Sequence, residues 1–566
     1  MKKTLLITVG ILFLAFSACN DHPIIEEVDT VRSSGVLKSS PITSGDFLKT
    51  NGTSIRKNYG NGSNVYLRGT NAGGWLVQEE WMCATNAPDQ KTMMNTLESR
   101  FGKTVRDQLI SVYENNYWTI QDFDNCAAMG MTAIRLPFTY MNLMNDEWSD
   151  IKPGGWARLD WFIENCRARG MYVILDLHGA FGSQNGMDHS GEVNDGNQLY
   201  WNDYNRAMTK WLWWQVANRY KGNPTVAAYD ILNEPGIKAG LTTSVQWDFY
   251  DEIYDVIRSV DPDHIIIMES CWDAAHLPHP SVYGWTNVVY EYHYYPWNHV
   301  NNYNGQVSFV NSKINDIANA GYNVPTFVGE FTCFGLANAW EYTLNAYNNQ
   351  GWHWTSWTYK ALGNNTSWGI YNHNPSRVDI YNDSEAVIRA KWAAVGASGS
   401  WRNNTVYNAM VAGLNQGGDP GSGFNLPNGE YYFRGVSTNQ VICADNGGNN
   451  PLLANRSAYG GAWESFSVVN NSDGTISLRS GANNKFVCMV NDGNKHLLAR
   501  SSAIGTWEKF YLERITSTQF ALKSFTNNKY VTINQSASNV LYATADAVNA
   551  WEVMYIYRTN GTQIID

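Results

Sequence analysis

At 566 residues the chain is too long for one ordinary core, so two folded domains are expected. It is 44% hydrophobic and 16% charged, which excludes a disordered chain, and a net charge of −11 without a basic cluster argues against nucleic acid as a partner. Its 24 Trp and 33 Tyr either fill large cores or stack on sugars, whose apolar ring faces suit flat side chains.

Lys2 and Lys3 precede a mainly apolar run from Leu5 to Ala18, too short to span a bilayer comfortably, and this segment is set apart from the fold as a targeting signal. It ends Phe16-Ser17-Ala18-Cys19, which resembles a bacterial lipoprotein signal cleaved before a cysteine that becomes lipidated. The resemblance implies loss of residues 1–18, lipid on Cys19, and a place on the bacterial cell surface or in the periplasm, anchored to the outer membrane. An ordinary secretory signal is the alternative. Residues 19–45 are polar with short apolar breaks and are expected to be a tether. Seven cysteines remain besides Cys19, with no CxxC or clustered Cys/His spacing, so neither a disulfide framework nor a metal site is expected.

From residue 46 to 400 short β-type runs alternate with helical stretches. The runs are VYLRGTN, TAIRLPF, MYVILDLHG, VAAYDILNEP, HIIIMES, NVVYEYHYY, PTFVGEF and WHWTSWTYK. Between them lie amphipathic segments such as ARLDWFIENCRARG and WDFYDEIYDVIRSV. Eight apolar strands alternating with helices predict a (β/α)₈ TIM barrel. An open doubly wound sheet would want a Gly-rich phosphate loop after its first strand, and none stands there.

Residues 401–428, rich in Gly, Asn and Pro towards their end, are expected to link the barrel to a second domain over 429–566. That domain repeats internally. Trp463-Glu464, Trp507-Glu508 and Trp551-Glu552 recur every 44 residues, and Asn483-Asn484-Lys485 returns as Asn527-Asn528-Lys529 at the same offset. The β-rich stretches NQVICAD, NKFVCMV and NKYVTIN precede each Trp-Glu pair. Three such units predict an all-β β-trefoil.

Arg135, His178, Asn233, Glu234, His293, Glu330 and Trp357 lie in or just past the later part of strand-like runs, whose ends converge on one face of a barrel. Glycoside cleavage needs two carboxylates flanking the bond. Glu234 and Glu330 are the best-placed pair, with Glu234 expected to have its pKa raised by its partner's charge. Asn233 can bond a sugar hydroxyl, Tyr295 and Arg135 can hold Glu330 ionised, and His178 and His293 read as neutral donors.

Arg135-Leu-Pro137, Asp176-Leu-His178-Gly179, Asn233-Glu234-Pro235, His293-Tyr-Tyr295, Gly329-Glu330-Phe331 and Trp357 together resemble glycoside hydrolase family 5, over residues 60 to 360. The resemblance implies a retaining mechanism with Glu234 as acid/base and Glu330 as nucleophile, and no cofactor. Gly73-Gly74-Trp75-Leu76-Val77-Gln78-Glu79-Glu80-Trp81 and the stretch from His178 to Asp188 look like the exo-β-1,3-glucanases of that family, in which residues matching Glu79 and Asp188 grip the terminal glucose. The sequence departs from them at Glu80, where Pro is usual, and at His189, where Asn is usual. The C-terminal repeats are similar to fascin-like β-trefoils through their Asn-Lys-aromatic and Trp-Glu-x-Phe signatures; the Gln-x-Trp triplet of ricin-type lectin trefoils is absent. A monomeric enzyme acting from the ends of a β-1,3-glucan is expected. Endo action on β-1,4-glucan or mannan is the enzymatic alternative, and a non-catalytic surface glycan-binding protein the alternative from another class.

Overall fold

The computed structural model describes residues 40–144, 150–194, 198–236, 242–270, 272–363, 367–396, 400–415, 426, 429–471, 475–490, 495–515, 518–546 and 548–564. The expected signal, with Cys19 and most of the tether, lies outside these residues. Where the tether was expected to reach residue 45, the chain is already packed. Ile42 is buried and donates its backbone N–H to the Arg167 carbonyl at 3.0 Å.

All eight predicted runs form strands: β1 (Arg68–Asn71), β2 (Ala133–Thr139), β3 (Tyr172–Gly179), β4 (Val226–Asp230), β5 (Ile265–Glu269), β6 (Val288–Tyr294), β7 (Thr326–Phe331) and β8 (His353–Ser356). They pair in parallel and in order, and β8 returns to β1 to close the barrel. Every residue of these strands is buried, as expected of a sheet covered by helices outside and filled by side chains within. Ala133, Ile174, Ala228, Ile267, Val289 and Phe327 share one core cluster with Ile42, Leu48 and Ile55 of the N-terminal segment. The opposite, C-terminal strand ends carry the polar residues. Among the described residues no helix is long and apolar enough to cross a membrane.

The expected linker begins later than the composition suggests. A helix over Asn404–Asn415 places Val406, Met410 and Leu414 in the large apolar cluster that also holds the barrel helices. Three apolar residues at helical spacing outweigh the glycines that follow them.

The C-terminal domain is all-β. Its strands are β9 (Gly429–Gly435), β10 (Val441–Ala444), β11 (Leu452–Arg456), β12 (Phe466–Asn470), β13 (Ile476–Ser480), β14 (Phe486–Met489), β15 (Leu497–Ser501), β16 (Phe510–Arg514), β17 (Phe520–Ser524), β18 (Tyr530–Asn534), β19 (Val540–Ala545) and β20 (Val553–Arg558). Six of them pair antiparallel in a ring, β9-β12-β13-β16-β17-β20 and back to β9. The other six make three hairpins, β10–β11, β14–β15 and β18–β19, each with a register shift at its first residues.

The repeated motifs do structural work. Asn439, Asn484 and Asn528 take left-handed backbone angles (φ +52°, +61° and +56°), which Asn tolerates better than most residues. Just before two of these turns, Asn483 and Asn527 donate Nδ2 to the carbonyls of Ala499 and Ala543 at 2.7 and 2.8 Å. In each Trp-Glu pair the glutamate is buried and accepts a backbone N–H from three or four residues earlier: Gly460 to Glu464 at 3.2 Å, Gly505 to Glu508 at 2.7 Å and Asn549 to Glu552 at 2.7 Å. The six cysteines among the described residues are all free and buried, as core residues should be.

Replacing such a buried, charge-assisted acceptor leaves a backbone N–H unpaired. Glu508→Ala should therefore lower stability by about 1–3 kcal/mol, read from the denaturant midpoint. An unchanged midpoint would mean that the motif is not structural.

Candidate active site

Arg135 stands on β2 with none of its side chain exposed. Its Nη1 donates to Glu330 Oε1 at 3.0 Å and to Asn71 Oδ1 at 3.1 Å, Nε donates to Asp230 Oδ2 at 2.8 Å, and Nη2 donates to Asn233 Oδ1 at 2.9 Å. Asp176 and Glu291 lie 3.1 and 3.3 Å away. One guanidinium thus serves four carboxylates, and they hold its pKa well above the usual value against the opposing effect of burial. Burial raises Asp176 to about 7 and lifts Glu269 and Glu291 well above the carboxylate range. Close packing enforces the arrangement. A Cβ on Gly329, beside the nucleophile candidate, would stand 1.4 Å from Glu291 Oε1.

Glu330 is fixed from two sides, by Arg135 and by Tyr295 Oη, which donates to Oε2 at 2.7 Å. Glu234 follows β4 at φ +41°, a left-handed angle costly for a residue with a long side chain. Neighbours hold it there. Glu269 Oε2 accepts its N–H at 2.6 Å and Asn185 Nδ2 donates to its carbonyl at 3.0 Å. Gln184 Nε2 bonds the carbonyls of both His178 and Asn233 at 2.8 Å, tying the loop after β3 to the end of β4.

His293 Nδ1 lies 2.8 Å from Glu234 Oε1. Donor atoms of Glu234, His293 and Glu330 come within 4.8 Å of one another, as do those of Glu79, Asp188 and His189 and those of Glu269, Glu291 and His293. His178 Nδ1 meets Asp176 Oδ2 at 2.7 Å, and its ring stacks on Trp357 at 5.4 Å with a 4° tilt. Burial brings His178 down to about 3, so it is a neutral donor or acceptor, as the sequence predicts.

The expectation of a raised Glu234 is corrected here. Burial pushes that carboxyl up, but the charge of His189 and the hydrogen bond and charge of His293 outweigh it and bring it down to about 2. The sequence displays the opposing Glu330 but not the histidines that the fold sets around Glu234.

These groups border a cleft of about 950 Å³ lined by Glu79, Trp81, His178, Asn233, Glu234, Tyr295, Glu330, Trp357 and Trp368, with Met187, Trp272 and Trp297 half exposed at its rim. Glu79 Oε2 accepts Trp81 Nε1 at 2.8 Å, whereas buried Oε1 has no partner among the described residues. Burial raises Glu79 to about 7. Arg135 and His293 stand behind the cleft wall, and Asp188 lies beside Glu79 and His189 without lining the cleft. Sequence reasoning missed Asp230, Glu269, Glu291, Gln184 and Asn185 as supports, and Trp81, Trp272, Trp297 and Trp368 as lining. One acid in each of the apolar runs β4, β5 and β6 was the trace of the supports, and by itself it names no partner.

A parallel eight-stranded barrel with two close carboxylates at its C-terminal mouth defines the class of site. Residues 89–363 match the model of Cellulase (glycosyl hydrolase family 5). Residues 471–565 match a domain of unknown function (DUF7910). The chain is 34% identical over 210 residues to "Probable glucan 1,3-beta-glucosidase A" of Neosartorya fischeri, covering 36% of this chain and 50% of that one. It is 30% identical over 253 residues to "Beta-xylosidase" of Phanerodontia chrysosporium, covering 44% and 52%. The chain thus spans about half the length of these curated relatives. Among solved structures, the rutinosidase from Aspergillus niger superposes with a TM-score of 0.44 at 19% identity, over 58% of this chain and 98% of that one.

Tyr295→Phe removes one donor to a buried carboxylate. For the glycosidase activity proposed below, turnover of an aryl β-glucoside should fall about 10- to 100-fold, and a loss below about twofold would show that Arg135 alone holds Glu330.

Proposed function

We propose that the barrel is a retaining β-glycoside hydrolase acting on β-glucan, with Glu330 as nucleophile and Glu234 as acid/base. The observation that carries this reading is the approach of the two carboxylates within 4.8 Å at the floor of an aromatic cleft. Retaining enzymes hold their carboxyls about 5 Å apart, whereas inverting ones leave room for a water. Glu330, oriented by Arg135 and Tyr295, attacks the anomeric carbon while Glu234 protonates the departing oxygen. Glu234 then takes a proton from the water that releases the sugar.

The substrate class we infer is a β-1,3-linked glucan cleaved from its end. Two observations support it: the relatives named glucan 1,3-beta-glucosidase, and the unpartnered oxygen of Glu79 in the cleft wall. The neighbouring Glu80 is ion-paired with Arg377 at the surface. The test is the early product distribution from a long β-1,3-glucan. Glucose from the first minutes is expected, and Glu79→Ala should lower kcat/KM on β-1,3-oligosaccharides about 10- to 100-fold. A ladder of long products would overturn exo action.

Two further parts of the reading concern the rest of the chain. The C-terminal domain we take as a β-trefoil, supported by its six-stranded ring, three equivalent hairpins and 44-residue repeat. Cys19 we take as lipidated, with the following polar segment as tether. One acyl chain binds a membrane only marginally, so multiple acylation is required. Cys19→Ala should release the protein from the membrane fraction, and an unchanged fraction would refute the anchor.

A further inference from the structure

His189 sits in the short turn Asp188–Ser190 on the loop after β3. Its Nε2 lies 3.3 Å from Glu234 Oε2 and 2.7 Å from Asn185 Nδ2. This nitrogen carries either a proton or a lone pair, so it engages one neighbour at a time. The Asn185 amide cannot turn over freely. Met187 N donates to its Oδ1 at 2.9 Å, and its Nδ2 donates to the Glu234 carbonyl at 3.0 Å. Asn185 therefore offers His189 a donor. The neutral ring accepts from Asn185, and the protonated ring donates to Glu234.

We propose that His189 and Glu234 work as a shared acid, in which the proton given to the leaving group rests on His189 Nε2 between turnovers and is delivered through Glu234. This rests on the reading of Glu234 as acid/base. In the first half of the reaction the proton leaves Nε2 for Glu234 Oε2 and passes to the glycosidic oxygen. The bond from that oxygen to the anomeric carbon breaks, and Glu330 forms a bond to the same carbon. In the second half, water loses a proton to Glu234 and its oxygen displaces Glu330. The proton then returns to Nε2, so each cycle consumes one water and no other reagent. Asn185 bonds the Nε2 lone pair whenever the proton has left, which favours the form with Glu234 protonated.

The surroundings pull both ways on the proton: the Asn185 amide, a donor 2.7 Å from Nε2, opposes it, and the carboxylates around the ring favour it. Burial opposes charge on His189, but Glu234, Glu79, Glu330 and Asp188 together raise it above the ordinary imidazole value. The His178 ring, 6.1 Å away, is neutral across the working range. A proton held on a raised imidazole survives to higher pH than one held on a carboxyl alone. The pair therefore loses its proton on the basic side of the activity profile, and His189 sets where that happens.

The experiment is kcat/KM against pH for the wild type, His189→Asn and His189→Gln on two substrates. One is the best-cleaved gluco-oligosaccharide, and the other an aryl β-glucoside whose leaving group departs without a proton. On the oligosaccharide the basic limb should move down by about one pH unit or more in both variants, with under about threefold loss near pH 5. On the activated glycoside it should stay where it is. An unmoved limb, or an equal loss at every pH on both substrates, would overturn the shared acid. Glu234→Ala on the same substrates separates the two ideas. Loss confined to the oligosaccharide upholds Glu234 as acid/base whatever His189 does, whereas equal loss on both removes that reading and the shared acid with it.

Discussion

Everything at the mouth of the barrel depends on one buried positive charge. Arg135 has no contact with solvent, and it reaches Asp176, Asp230, Glu291 and Glu330 together with Asn71 and Asn233. A guanidinium suits this position because its planar fork donates in several fixed directions without losing its charge. Removing it would leave several buried carboxylates without a counter-charge, which costs far more than the loss of one contact. The strands are thereby joined at their C-terminal ends by charge as well as by backbone pairing.

The acids around Arg135 outnumber it, and burial raises the pKa values of Asp176, Asp230, Glu269 and Glu291. Burial pushes Glu269 and Glu291 well above the usual carboxylate range. Glu269 is the clearest case, because its task is mechanical: it receives the N–H of Glu234 and keeps that residue in its left-handed turn. The carboxyls that face the cleft and those that support them are thus told apart by surroundings, since the side chains themselves are alike.

Much of this was legible in the sequence. The eight apolar runs became the eight strands because parallel strands buried on both faces must be apolar throughout. Glu234 and Glu330 stood out because they end such runs. Asp230, Glu269 and Glu291 did not, since a lone acid inside a hydrophobic run has no visible partner until the barrel closes. The same blindness explains the error over Glu234, whose histidine neighbours come from the loop after β3 and from β6. The helix over Asn404–Asn415 was hidden by the glycines beyond it. In the C-terminal domain the 44-residue spacing was plain, but the purpose of Trp-Glu was not: a carboxylate folded back onto a nearby N–H leaves no trace in composition.

The left-handed turn at Glu234 has a consequence for descent. Glycine or asparagine would occupy φ +41° with less strain, so this position carries a standing conformational load of about 1 kcal/mol or more. On the role proposed for Glu234, a lineage that no longer needed the acid would relieve this load by drifting to either residue, losing the carboxylate's contacts with His293 and His189. The identity of this one side chain thus separates a barrel still under demand for chemistry from one kept only as a scaffold.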